Sequence, residues 1–131
     1  MVRNLPQALR FRLGNHTIHE MSLTPAPFEK IKHREKTIEI RLYDEKRKAV
    51  RVGDIIIFSK LPDKSEKIKV EVVGLSIFGS FHDLFSSFDK SKFGHDQTLS
   101  IEDRINMQRE HYTLEEEKQN GVVGIHIGLI E

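Results

Sequence analysis

The chain of 131 residues has no cysteine and no tryptophan. Without thiols there is no disulfide, no thiolate nucleophile and no zinc–sulfur site, and the reducing cytoplasm is the expected compartment. A large charge of one sign is also missing, since 21 Lys and Arg against 20 Asp and Glu leave a net +1 and a pI near 8.0. Domains held on nucleic acid by bulk charge usually exceed pI ~9. Any nucleic-acid contact must therefore come from a local patch or a pocket. Long apolar runs are absent: Ile55–Phe58 and Val122–Ile130 are too short or too interrupted by glycine to cross a membrane. The opening MVRNLPQALRFRLGN lacks the apolar core and small-residue cleavage site of a secretory signal. No repeat or low-complexity tract divides the chain, so one domain over 1–131 is expected. Its first 15 residues form a lead-in that the pattern leaves open between short helix and extended chain.

Catalytic and metal signatures are equally sparse. There is no glycine-rich phosphate loop, no GxSxG elbow and no HExxH pattern. His16 and His19 stand three apart in or near a strand, which puts them on opposite faces, and His126 in GIHIG has no histidine at helical spacing. Neither a metal nor a cofactor is expected.

What is present is a concentration of charge on one strand. KTIEIRLYDEKR, Lys36 to Arg47, places Ile38, Ile40 and Leu42 on one face and Thr37, Glu39, Arg41 and Tyr43 on the other. Lys36 has the apolar parity but stands first in the strand, where a long side chain reaches past the rim. Periodicity alone favours a solvated face with a cross-strand ion pair. The same row also suits recognition of a planar, polar ligand. Lys46, Arg47, Lys48 and Arg51 follow directly. They form a candidate phosphate patch, or else a turn of solvated charges.

Around this strand the pattern predicts strands at Thr17–Leu23, Ile55–Ser59, Lys67–Ile77 and Val122–Leu129, the third with a bulge near Val73-Gly74. A short helix enters at Thr24-Pro25 and buries Phe28 and Ile31. Asp44–Lys48 reads as a polar turn, Val52-Gly53-Asp54 as a tight turn and Pro62–Ser65 as a hairpin loop. A helix is expected over Asp83–Phe88 and a loop over Asp89–Thr98. Ser100 with Asp103 and Thr113 with Glu116 mark capping boxes, the first helix running to about His111 and the second ending at Gly121. Tyr112–Glu117 sets one aromatic beside Glu115, Glu116 and Glu117, mostly as helix-start chemistry, although one carboxylate would serve a site if that end faced a pocket. The order is α+β, and a small, partly open β-barrel with inserted helices fits it.

His19-Glu20-Met21, Pro27-Phe28, Lys36–Leu42, Asp44–Arg47, Gly53-Asp54 and Tyr112-Thr113-x-x-Glu116…Gly121–Ile125 together resemble a bacterial ASCH (activating-signal-cointegrator homology) domain, over roughly Thr17 to Leu129. The family signature GxKxxExR falls on Lys36, Glu39 and Arg41, with Arg34 in place of its glycine. That departure implies a turn made differently before the strand. The resemblance implies a PUA-like barrel whose cleft holds RNA or a nucleoside. Some relatives remove an acyl group from the exocyclic amine of modified cytidine, using a lysine, a threonine and a glutamate; others cleave RNA. The lysine corresponds to Lys36, the threonine falls at Glu39, and the glutamate aligns with no particular residue here.

Three readings follow. In a binding cleft for RNA or a nucleotide-like ligand, Lys36 contacts a phosphate or carbonyl oxygen and Arg41 pairs with phosphate or stacks on a base. Glu39 then accepts from a base edge, Tyr43 stacks, and Lys46 and Arg47 hold the backbone. In a metal-independent hydrolase, Lys36 is the general base, Glu39 shuttles the proton and Arg41 steadies the oxyanion. In a purely structural network, the triplet closes the barrel.

Overall fold

A computed structural model describes residues 16–130; the lead-in expected over 1–15 lies outside the described residues. The elements run β1 (Ile18–Leu23), α1 (Pro25–Lys32), β2 (Ile38–Leu42), α2 (Glu45–Lys48), β3 (Ile55–Lys60), β4 (Lys67–Phe78), α3 (Phe81–Ser87), a 3₁₀ turn (Lys90–Phe93), α4 (Ile101–Gln108), α5 (Leu114–Asn120) and β5 (Val122–Leu129). The strands form one curled half-barrel sheet in the order β1-β3-β4-β5-β2. β1 and β3 are parallel and the remaining pairs antiparallel, with a register shift between Val72 and Gly74 where the bulge was expected. This is the α+β, partly open barrel that the pattern of elements predicts and the PUA-like architecture that the resemblance implies.

Local chemistry explains where the structure departs from the predicted pattern. Asp44–Lys48 is not a plain polar turn. The Asp44 carboxylate accepts from the Arg47 N–H, which supplies a partner for an orphan donor and lets Glu45–Lys48 close one helical turn. Within the predicted loop Asp89–Thr98, Asp89 accepts from the Ser91 N–H and starts the 3₁₀ turn that drives Phe93 into the core at 1 % exposure. Both capping boxes form, but the first helix ends at Gln108 rather than His111. Thr24 holds the cap of α1 in extended backbone without a side-chain capping bond, so Pro25 makes that helix start.

Two apolar clusters lie on opposite sides of the sheet. Met21, Phe28, Ile56, Phe58, Val70, Val72, Val123 and Ile125 fill the inside of the half-barrel with their neighbours. Ile38, Ile40, Leu42 and Val122 face outward and are covered by Phe81, Leu84, Phe85 and Phe93 from α3 and the 3₁₀ turn. Gly124 makes that covering layer possible, because a Cβ there would meet Leu84 Cδ1 at 2.9 Å and Ile38 Cγ2 at 3.0 Å. The consequence for β2 is an inversion. Its apolar row packs outward under helices, while its polar row turns into the barrel. Residues opposed in a ladder share a face, so Glu39 lies beside Ile125 and Arg41 beside Val123, on the inner side. The solvated face favoured by periodicity is therefore corrected: Glu39 is only 3 % exposed.

Candidate functional site

β1 and β2 are the two edges of the sheet, and between them the barrel stays open. The carbonyls of Thr17, just before β1, and of Leu23 accept from Ile55 and Leu61, toward β3. Backbone groups alternate sides along a strand, so those of Glu20 and Ser22 point to the open edge. Side chains take the missing strand's place. Arg41 Nη2 donates to Ser22 O at 3.0 Å, and Lys46 Nζ donates to Glu20 O at 3.0 Å. This satisfies an edge that would otherwise invite pairing with another chain.

Beside this seam is a cleft of about 520 Å³. One wall is the start and polar face of β2. Lys36 Nζ lies 3.0 Å from Glu39 Oε1, and Arg41 Nε donates to Glu39 Oε2 at 2.6 Å. Burial alone would push the Glu39 carboxyl up, but Lys36 and Arg41 outweigh it and hold the group at about 2. Arg41 is desolvated as well, yet Glu39 raises its affinity for its proton. The triplet is thus a fixed ionic unit carrying one net positive charge.

The backbone explains why Lys36 stands there. After α1, the Arg34 N–H donates to Ile31 O at 3.0 Å and the Glu35 N–H to Lys30 O at 2.7 Å. Arg34 itself has φ 63°. These are the paired bonds and left-handed residue of a Schellman motif, the position where the family signature has glycine. The expectation of a differently made turn is corrected: the turn is the one that glycine favours, and an arginine adopts it.

The facing wall comes from the 3₁₀ turn and from the end of α4 with the turn after it, supplying Phe93, Gly94, His95, Gln108, His111 and Tyr112. Gly94 has φ 74°, and a Cβ there would come within 3.1 Å of Lys30 Cδ and 3.2 Å of Lys36 Cβ. Its carbonyl accepts from Lys30 Nζ at 2.7 Å. The loop can approach the β2 wall only with glycine here. His95 stacks on Phe93 with centroids 5.8 Å apart, and its Nδ1 accepts from Arg104 Nε at 2.9 Å. Burial first, then the charges of Arg104, Lys36 and Lys30, push the imidazole down to about 4. Burial likewise raises the Tyr112 phenol.

Of the residues singled out from sequence, Lys36, Glu39 and Arg41 line this cleft. Tyr43, Lys46 and Arg47 are not among its lining residues. Tyr43 packs against the inner core beneath Lys48, Lys46 is tied to β1, and Arg47 pairs with Asp44 at 3.2 Å within electrostatic reach of Tyr112. Glu117, from the acidic helix start, faces away from the cleft in function. It accepts from the Phe81 N–H and from Arg109, fastening α3 to α5. Asp54 gathers Thr17, Arg51 and His19 around its carboxylate, so the Gly53-Asp54 turn ties β1 to β3. His126 is occupied by Ser76 at 2.8 Å. Among the described residues no three His, Asp or Glu side chains gather as metal ligands would, and no helix is long and apolar enough to cross a membrane. Sequence reasoning missed His95, Gln108 and Lys30, which no motif marks. It named Tyr112 at a helix start and among the residues of the family resemblance, without a role in the site.

This half-barrel, with a lysine–glutamate–arginine triplet on its edge strand, defines an ASCH-type domain. The ASCH domain family model matches residues 21–131, and the chain belongs to that family. It is similar to the hypothetical protein PH0355, at 38% identity and TM-score 0.78, over 87% of this chain and 100% of that one. It is also similar to protein PF0455 from Pyrococcus furiosus, at 35% identity and TM-score 0.68, over 88% and 99%. ASCH from Zymomonas mobilis, at 12% identity and TM-score 0.61 over 85% of this chain and 66% of that one, shares the fold. No curated protein matches the chain.

Proposed function

We propose that the cleft binds one nucleotide unit, either free or presented by single-stranded RNA. The observation that carries this reading is the pairing of two unlike walls. Lys30, Lys36 and Arg41 outnumber the two lining carboxylates, Glu39 and Glu110, while His95, backed by the buried Phe93, and Tyr112 offer planar surfaces opposite. A volume of about 520 Å³ suits one nucleotide better than a long groove. Charge on one side supports contact with phosphate or carbonyl oxygens, and aromatic surface on the other supports a base. The base-stacking role first given to Tyr43 passes to Tyr112, and the phosphate role of Lys46 and Arg47 to Lys30 and Lys36.

Binding is favoured over the hydrolytic schemes by the state of Glu39. A carboxyl held at about 2, with both oxygens engaged by cations, is a poor proton shuttle and a poor general base. The test is titration of the isotopically labelled protein with nucleoside monophosphates and with short single-stranded RNA. Both should perturb Lys36, Arg41 and Tyr112 and compete with one another. With about two phosphates contacted, log affinity should fall against log salt with a slope near −1 to −2. RNA binding confined to Lys46–Arg51, with the cleft unperturbed, would overturn the reading. Turnover of an N-acylated cytidine in the same samples would replace it with a hydrolase.

A further inference from the structure

We propose that His95 reads the base: a neutral imidazole, fixed by Arg104 with its proton on Nε2, donates to a carbonyl oxygen or unprotonated ring nitrogen of the nucleobase. This rests on the nucleotide-binding reading of the cleft and assigns the residue that makes it selective.

The tautomer follows from the partner. A guanidinium has only donors, so the Nδ1 that receives Arg104 Nε at 2.9 Å must offer its lone pair, and the ring proton sits on Nε2. That Nε2 has no hydrogen-bond partner among the described residues, and His95 lines the cleft. Arg104 is well placed to enforce this. It is 2 % exposed, and its guanidinium lies 4.3 Å from the Phe85 centroid and 5.3 Å from that of Phe93. It rests in the corner of two perpendicular rings, buried and held in place. Ring stacking on Phe93 fixes the imidazole plane. Every charged group that acts on the imidazole, Arg104 from α4, Lys36 from the head of β2 and Lys30 from α1, is a cation. A second proton is disfavoured accordingly, and His95 stays a directional neutral donor through the physiological range.

The division of labour is chemical. Lysine and arginine on the β2 wall attract any anion, whichever base it carries. A neutral N–H adds little toward phosphate beside three cations, but it fixes where an acceptor on a planar ring must lie. Arg104 acts through His95 and is a positioning residue.

The experiment compares two probes, a nucleoside monophosphate and inorganic pyrophosphate, on the wild type and on His95→Phe, His95→Gln and Arg104→Met. His95→Phe keeps the stacked ring and removes the donor. It should weaken nucleotide binding by about tenfold while changing pyrophosphate binding less than about twofold. His95→Gln restores an N–H donor and should recover part of the loss. Imidazole ¹⁵N shifts should show the Nε2–H form from pH 8 to 5 in the wild type, and a tautomer mixture titrating nearer 6.5 in Arg104→Met. An Nδ1–H tautomer, an equal loss toward both probes, or unchanged nucleotide affinity in His95→Phe overturns the proposal while the cleft reading stands. A wild type that binds no nucleotide overturns the cleft reading and the ligand role of His95 together, whatever the tautomer.

Discussion

Two arginines serve the same cleft, the half-buried Arg41 on its lining and the fully buried Arg104 one layer back, and the fold deals with their charge in opposite ways. Arg41, on β2, is neutralised by a carboxylate: Glu39 receives its Nε at 2.6 Å, and Ser22 O receives Nη2. Among the described residues Arg104, on α4, touches no carboxylate, and Asp89 acts on it only from beyond contact. Its guanidinium lies over two phenylalanine rings and gives one N–H to an imidazole, and its Nη2 has no partner. Burial consequently lowers the proton affinity of Arg104, whereas Glu39 raises that of Arg41. The two walls offer a ligand different things as a result. The β2 wall offers charge whose geometry is locked by ion pairing. The facing wall offers a neutral, directed donor, with its cation held one layer back.

The largest effects should come from unbalancing the β2 wall. Glu39→Gln leaves Lys36 and Arg41 desolvated together, and Arg41→Met leaves Glu39 with a single cation. Each should cost about 3–5 kcal/mol of unfolding free energy. Denaturant unfolding measures it. A loss below about 1 kcal/mol in both would mean that water reaches the triplet and that the wall behaves as a surface ion pair.

Acid should separate the walls by pH. Glu39 is held at about 2 against an ordinary 4.5, so its contribution is complete above 4.5 and lost as pH falls through 2. That contribution is about 3 kcal/mol. His95 is held at about 4 against 6.5. The unfolded chain takes up its proton first, so stability falls as pH drops from 6.5 to 4, by less than for Glu39 because the imidazole is partly exposed. Unfolding midpoints against pH should show both steps. His95→Phe should shrink the upper one, to which His126 also contributes, and Glu39→Gln the lower, which it shares with exposed carboxylates such as Glu66; an upper step unaffected by His95→Phe would break the distinction.

How much of this was legible in the sequence depends on range. Alternation over Thr37–Tyr43 identified the strand and its two rows, because side-chain parity is local. It could not say which row faces the barrel interior. That is decided by Ile125 and Val123 on β5, more than 80 residues away, and by the layer that Gly124 admits. Charge on one row therefore read as solvated. The triplet was found by signature, and the left-handed Arg34 explains why that signature has a glycine. The facing wall left little trace beyond Tyr112: a single histidine in a loop acquires meaning only when Arg104 and Phe93 close around it.

Where the walls meet, Gly94→Ala should have an intermediate effect. A side chain at φ 74° and the crowding of Lys36 Cβ should cost about 1–2 kcal/mol. Amide shifts should move on both walls, at Lys36 and at His95. Movement on one wall alone would show that the glycine serves the loop and does not set the width of the cleft.

The smallest effect expected is the most discriminating. Arg104→Met removes a buried charge that pairs with no carboxylate among the described residues, so it leaves no buried ion stranded behind it. Lost contact with the Phe85 and Phe93 rings costs roughly 0.5–2 kcal/mol. Against this stands relief from holding a desolvated guanidinium with an unpaired Nη2, itself about 1–3 kcal/mol. Methionine fills much of the same volume and packs well against aromatic rings. The two sides nearly cancel, and stability should change by no more than about 1 kcal/mol in either direction. The same exchange at Arg41 should cost several times as much, although Arg41 is the less buried of the two and both donate at the cleft. Equal losses at the two positions would mean that Arg104 has an anionic partner after all, with Asp89, whose charge it senses, the first to examine. The walls would then differ in sequence but not in physics.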